Sequence, residues 1–222
     1  MNKRLLAIGD VHGCFRQLYS LLTEIINLNM EDKLIMLGDY IDRGPESKQV
    51  LDLIMELISE GYDILPLMGN HEDMMRNAPR SNMDNYNWML NGGGETLDSF
   101  GVSSAGNIDK KYLDFVSALS LYHIIDNYIF VHGGFNDDID DPFSDEYSML
   151  WERRFEYNSP VFYGKTIIHG HRPHSLAELR EQMKHKPSII NIDTGCVYGK
   201  DYGLGDLTAI DLYSMKLYSV NC

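Results

Sequence analysis

Six short apolar runs recur along the chain, each closing on a glycine with polar neighbours. They are Leu5-Leu6-Ala7-Ile8 before Gly9-Asp10, Leu34-Ile35-Met36-Leu37 before Gly38-Asp39, and Ile64-Leu65-Pro66-Leu67-Met68 before Gly69-Asn70. Further on come Tyr128-Ile129-Phe130-Val131 before His132-Gly133, Thr166-Ile167-Ile168 before His169-Gly170-His171, and Ile189-Ile190-Asn191-Ile192 before Asp193-Thr194-Gly195. Runs of this length without polar alternation read as strands buried on both faces, the pattern of a sheet covered by helices. The polar groups that follow them then collect at strand ends.

Between the first and second runs, Phe15, Leu18, Leu22 and Ile25 fall at helical spacing. Val50, Leu51, Ile54, Leu57 and Ile58 do the same between the second and third, with Gly61 suited to stop that helix. The first 70 residues therefore predict a parallel βαβαβ unit with right-handed crossovers, in which ligands bind beyond the carboxyl ends of the strands. After Asn70 the pattern turns helical and polar. Gly92-Gly93-Gly94 marks a tight turn or a close backbone approach; a loop starting a helix is the simpler reading, a phosphate cradle the alternative. The stretches 207–212 and 216–220 alternate and predict an antiparallel hairpin. The expected fold class is α/β with two packed sheets, as one domain over residues 1–222.

Composition narrows the function. At 44% hydrophobic and 23% charged residues the chain can build a substantial core, and no apolar run approaches the roughly 18 residues needed to span a bilayer. The segment after Lys3-Arg4 is too short for a secretory leader, so the expectation is a cytoplasmic protein with no membrane partner. Cys14, Cys196 and Cys222 show no paired spacing and predict three free thiols, Cys14 being simply buried. The net charge of −14 argues against a nucleic-acid partner, whose backbone demands a basic footprint. It also means that an anionic substrate needs a local source of positive charge, which bound divalent cations supply.

Asp10 and His12 stand two residues apart on the loop leaving the first strand. Asp39 follows 29 residues later, Asn70 and His71 come at the end of the third strand, and His132 and His171 complete the set. These seven oxygen and imidazole donors exceed what one ion takes, and they suit a pair of Mn, Fe or Zn ions bridged by a carboxylate. His71, next to Asn70, is placed to protonate a leaving oxygen, with Asp42 to orient it. Arg43 offers a planar fork matched to phosphate oxygens, and Arg153 or its neighbour Arg154 completes the clamp, with Arg153 preferred. The acidic stretch 136–146 lacks the spacing of a calcium loop and reads as solvated. Asp193 reads at least as well as a turn cap as it does a functional group. His123, His174 and His185 belong to no motif, and His169 competes with His171 for one ligand position.

Gly9-Asp10-Val11-His12-Gly13, Gly38-Asp39-Tyr40-Ile41-Asp42-Arg43-Gly44 and Gly69-Asn70-His71-Glu72 resemble the three signature motifs of the PPP-family metallophosphatases. His132-Gly133-Gly134, Leu150-Trp151-Glu152-Arg153 and Gly170-His171-Arg172-Pro173 resemble downstream elements of the bacterial and phage lambda-type serine/threonine phosphatase branch. The resemblance implies a two-sheet β-sandwich flanked by helices. It implies Asp10, His12 and Asp39 on one metal, and Asp39, Asn70, His132 and His171 on the other. It further implies a His71–Asp42 acid pair and Arg43, Arg153 and Asn70 about the phosphoryl group. The implied activity is hydrolysis of phosphoserine, phosphothreonine or other phosphomonoesters by in-line attack of a metal-bridging hydroxide, most naturally with manganese. The alternatives are a symmetrical bis(5'-nucleosyl)-tetraphosphate hydrolase, for which Tyr86, Trp88, Tyr147 and Phe155 are candidate base contacts, and a catalytically silent metal-binding scaffold. No oligomeric state follows.

Overall fold

The first three apolar runs become strands because both of their faces are covered. In the computed structural model, which describes residues 3–154, 156–199 and 203–222, β1 (Leu5–Ile8), β2 (Lys33–Met36) and β3 (Asp63–Pro66) pair in parallel. Alternate side chains diverge. Leu6, Ile8, Leu34 and Met36 join a core under the helices, while Leu5, Ala7 and Ile35 face a second sheet. The terminal hairpin, β8 (Asp206–Asp211) and β9 (Lys216–Asn221), adds antiparallel to β1, giving the order β3-β2-β1-β8-β9.

The second sheet has the order β4-β5-β6-β7, built from β4 (Tyr122–Ile125), β5 (Tyr128–Val131), β6 (Thr166–His169) and β7 (Ile189–Asn191). Phe130, Ile168 and Ile190 from this sheet share a core with Leu5, Ala7, Ile35 and Ile210 of the first, so the two sheets pack face to face. On its outer face Ile129, Val131 and Ile167 meet Phe135, Met149 and Phe162. β4 is absent from the apolar-run pattern because it is a half-exposed edge strand carrying His123. The turn that pairs it with β5 holds Asp126 at a φ of 55°.

Helices α1 (Phe15–Ser20) and α2 (Ser47–Ser59) cross between the parallel strands. A π-helical turn, Leu21–Ile25, follows α1 and shifts its buried stripe. Leu18, Leu21, Leu22 and Ile26 are therefore buried, whereas Ile25, which the helical spacing would bury, is exposed. Beyond β3 come α3 (Asn70–Asn77), α4 (Asn82–Trp88), α5 (Gly94–Phe100) and α6 (Lys110–Ser117), then α7 (Glu146–Trp151) and α8 (Leu176–Met183). Among the described residues no helix is long and apolar enough to cross a membrane.

One expectation is overturned. Cys196 and Cys222 are joined as a disulfide, leaving only Cys14 as a free, buried thiol. Their separation of 26 residues carries no local signature. The β8–β9 hairpin returns the chain to the 3-10 turn Cys196–Tyr198, where the Cys222 amide donates to the Gly205 carbonyl at 2.7 Å. The acidic stretch does structural work: Asp137 accepts from the Ser159 amide, Asp138 pairs with Arg154, and Asp145 caps α7.

Candidate active site

The loops leaving β1 and β2 continue the pairing of their strands. Val11 and His12 amides donate to the Asp39 carbonyl at 3.0 and 2.8 Å, and the Gly13 amide donates to Tyr40 at 2.8 Å. The turns are sharp. His12, Asp39, Asp42, Arg43 and His171 all have positive φ, between 45° and 71°, and they are five of the nine non-glycine residues in that region among those described. Such conformations cost about 1–3 kcal/mol each and persist only where surrounding contacts enforce them, a concentration expected at functional sites. Gly38, with a φ of 100°, has no room for a side chain: a Cβ there would lie 2.6 Å from the Gly69 amide nitrogen.

These turns place Asp39 between two groups of buried donors. Its Oδ2 lies 3.6 Å from His12 Nε2 and 3.9 Å from His71 Nε2, while Oδ1 lies 3.4 Å from His132 Nε2. His12, Asp39 and His71 form one close group, and Asp39, His132 and His171 form the other. Asn70 joins the second, its Oδ1 2.9 Å from both His132 Nε2 and His171 Nδ1. The His132 Nδ1–H donates to the Leu37 carbonyl, so in the neutral ring Nε2 carries a lone pair. Burial pushes the His132 and His171 pKa values down, keeping both rings neutral. The Asn70 oxygen and His132 Nε2 thus turn lone pairs toward each other and toward His171 Nδ1, and a cation fits there. At the first group Arg43 Nη1 sits 2.6 Å from His12 Nε2, bringing a positive charge to that face.

Residues 3–202 match the calcineurin-like phosphoesterase family. The chain belongs to it. It is 26% identical to the asymmetrical bis(5'-nucleosyl)-tetraphosphatase PrpE of Anoxybacillus flavithermus, across 96% of this chain and 92% of the relative. It is 28% identical to serine/threonine-protein phosphatase 1 of Salmonella typhimurium, across 86% of each. A solved protein serine/threonine phosphatase from Saccharomyces cerevisiae shares the fold at a TM-score of 0.67 and 17% identity, over 99% of this chain and 80% of that one. Membership implies divalent metal ions, and the two His/Asp groups suit that role.

The rest of this phosphoesterase's pocket follows from the same loops. It is small, about 180 Å3, and is lined by Asp10, Asp39, Arg43, Asn70, His71 and Arg153 among others. Asp10 sits at its wall, both carboxylate oxygens accepting from the His171 amide at 3.0–3.2 Å, and it lies outside the two close groups. Burial, followed by repulsion from Asp193 and Asp39, raises the Asp10 pKa. Asp193 is raised by burial and by Asp39, although the Gly195 amide donates to it at 2.9 Å. Several buried carboxylates facing one small space are costly without a cation.

His71 Nδ1–H donates to Asp42 Oδ2 at 2.7 Å, both side chains being buried. The same carboxylate accepts from Trp88 Nε1 at 3.0 Å and from Thr96 Oγ1 at 2.6 Å. Burial disfavours the His71 imidazolium, but Asp39 and Asp42 outweigh it and raise the pKa. Arg153 lines the pocket, whereas Arg154 is turned to Asp138 and Glu152. His169 stays outside the donor groups, its Nδ1–H donating to the Gly170 carbonyl. The triple glycine is a close backbone approach at the start of α5: Gly92 packs on the backbone of Arg43, whose amide donates to its carbonyl at 3.2 Å.

Three residues take roles that the sequence did not give them. Trp88, there a candidate base contact, is fully buried beneath Asp42. Thr96 reaches Asp42 from 54 residues away. Glu72, in the motif itself, accepts from the Asp39, Tyr40 and Gly69 amides at 2.8, 2.8 and 3.0 Å and fixes the Asp39 turn. Of the three, only Glu72 carried a local signal, as the third residue of α3 after Gly69. Asp193, for which the sequence left turn cap and functional group open, both caps its turn and lines the pocket. Phe155 lies outside the described residues.

Proposed function

We propose that this phosphoesterase transfers a phosphoryl group to water using two divalent ions, and that its best substrates are dinucleoside polyphosphates. The observation that supports the reaction is the Asp39 carboxylate, whose two oxygens face separate groups of buried imidazoles. His12 and Asp39, with Asp10 beside them, would hold one ion; Asp39, Asn70, His132 and His171 would hold the other. When bound, such a pair lowers the pKa of water and neutralises developing phosphate charge.

The chain's own groups do the remainder. Arg43 and Arg153 clamp the oxygens of the reacting phosphoryl group, and their planar forks fix it for in-line displacement. His71 directs Nε2 to the pocket because Asp42 holds Nδ1–H, so its Nε2 proton passes to the leaving oxygen as the P–O bond breaks. Trp88 and Thr96 hold Asp42 in turn.

A nucleotide-bearing substrate is favoured by an aromatic stack at the pocket wall. Trp151 lines the pocket and Tyr147 stacks on it at 6.2 Å and 20°, with Tyr147 72% exposed and able to receive a base. The second reading, a phosphoprotein phosphatase acting on phosphoserine or phosphothreonine, draws on the likeness to the Salmonella enzyme. Turnover in manganese is to be compared between diadenosine tetraphosphate and a phosphothreonine peptide, with a chelator blank and product identification. A higher kcat/KM on the tetraphosphate supports the proposal; preference for the peptide transfers it to the second reading.

A further inference from the structure

We propose that the cleft beside the catalytic pocket is a second anion-binding subsite, which holds the outlying phosphates of a substrate whose reacting phosphoryl group lies between Arg43 and Arg153. This rests on the hydrolase reading above and adds to it the residues that select a polyphosphate. The cleft encloses about 590 Å3 between α8, the end of β7 and the loop after β6, and it shares Arg153 and Pro173 with the catalytic pocket. Its polar wall is Arg153, Arg172, His169, His174, Gln182, Ser188 and Asn191, and no aspartate or glutamate among the described residues lines it. Acidic residues outnumber basic ones by 33 to 19 in this chain. A cavity with two arginines and no carboxylate therefore reverses the sign of the protein's field at one place, next to the site of chemistry.

The wall is built. Arg172 Nη1 donates to the Arg153 carbonyl at 2.6 Å, Asn191 Nδ2 donates to the Arg172 carbonyl at 2.5 Å, and His174 Nε2–H donates to the Asn191 carbonyl at 2.9 Å. These bonds fix the backbones that carry both arginines. Burial and the nearby Arg153 charge lower the Arg172 pKa. His169 and His174 are kept neutral by burial, so the positive charge comes from the arginines. The Arg153 guanidinium has no carboxylate partner among the described residues, while adjacent Arg154 has two. A single phosphate bound to the catalytic pair leaves Arg172 without an anionic partner from the substrate. A chain of linked phosphates engages it.

The test compares wild type with Arg172→Ala and Arg172→Lys, each manganese-loaded at fixed free metal, on diadenosine tetraphosphate and on p-nitrophenyl phosphate. Arg172→Ala should lose about tenfold or more in kcat/KM on the tetraphosphate, mainly through KM, as expected for removal of a charge-assisted contact. Its p-nitrophenyl phosphate turnover should fall much less, by no more than the loss of the bond to the Arg153 carbonyl costs, and Arg172→Lys should recover part of the loss on the tetraphosphate. Equal losses on both substrates, or no loss on either, overturn the subsite. Inorganic tripolyphosphate, as competitive inhibitor of p-nitrophenyl phosphate turnover, provides the independent arm. It should bind wild type at least about tenfold tighter than orthophosphate and lose that advantage in Arg172→Ala. If wild type ignores the tetraphosphate yet shows this inhibition pattern, the dinucleotide reading fails and the subsite stands. If tripolyphosphate gains nothing over orthophosphate, the subsite fails whatever the preferred substrate.

Discussion

Asp42→Asn isolates the orienting half of the proposed acid pair. The amide has nearly the volume of the carboxylate, and its oxygen can still accept from Trp88 Nε1 and Thr96 Oγ1, now 3.1 and 2.6 Å from Asp42 Oδ1. What changes is the atom facing His71 Nδ1, which becomes an NH2 group where a 2.7 Å charge-assisted bond existed. Such bonds contribute about 1.5–3 kcal/mol. At about 1.4 kcal/mol per tenfold, loss in the transition state predicts a drop in kcat of about 10- to 150-fold. The leaving group decides where in that range a substrate falls. A nitrophenolate departs with little protonation, whereas an alkoxide such as that of phosphoserine needs it. Steady-state kcat in manganese should therefore fall toward the low end on p-nitrophenyl phosphate and toward the high end on phosphoserine, with metal content unchanged by elemental analysis. Equal losses on the two substrates would refute the argument that Asp42 acts through a proton donor.

Other perturbations probe the surroundings. Asp39→Asn should deplete both metal sites together, because both oxygens of the carboxylate face donor groups; loss of one ion alone by elemental analysis would show that Asp39 serves a single site. Trp88→Phe keeps the buried ring but removes one donor to Asp42, worth about 1 kcal/mol. It should cost roughly fivefold in kcat with an unchanged circular dichroism spectrum. Gly38→Ala forces a Cβ to within 2.6 Å of the Gly69 backbone at a φ of 100° and should lower the melting temperature. Burial of Asp32 opposes its charge, but the Arg4 guanidinium and the Asn29 amide more than offset this and lower its pKa. Its stabilising contribution is complete above the unfolded carboxyl value of about 4 and fades as pH falls below it. The difference in melting temperature between wild type and Asp32→Asn should accordingly narrow in acid; a constant gap down to pH 2 would contradict it.

Apolar runs ending in glycine made six of the nine strands among the described residues legible, because strands covered on both faces need no polar alternation. The alternating C-terminal stretches made the β8–β9 hairpin legible. β4 was hidden by being an edge, where half-exposure permits His123. The site was readable where its donors sit on strand-end loops: Asp39, His132 and His171 meet because parallel strands align their carboxyl ends. Trp88 and Thr96 were unreadable because they reach Asp42 through the packing of α4 and α5, at sequence separations of 46 and 54. No short pattern encodes such contacts. The Cys196–Cys222 pairing was hidden for the same reason, since only the closing hairpin brings the two together.

The central claim is that two ions held about Asp39 drive phosphoryl transfer. Chelator-stripped protein titrated with manganese, while p-nitrophenyl phosphate turnover and bound metal are followed together, tests it most directly. Turnover should be absent without metal and should saturate as occupancy approaches two ions per chain. Undiminished turnover in the presence of chelator, or saturation at one ion per chain, would contradict it.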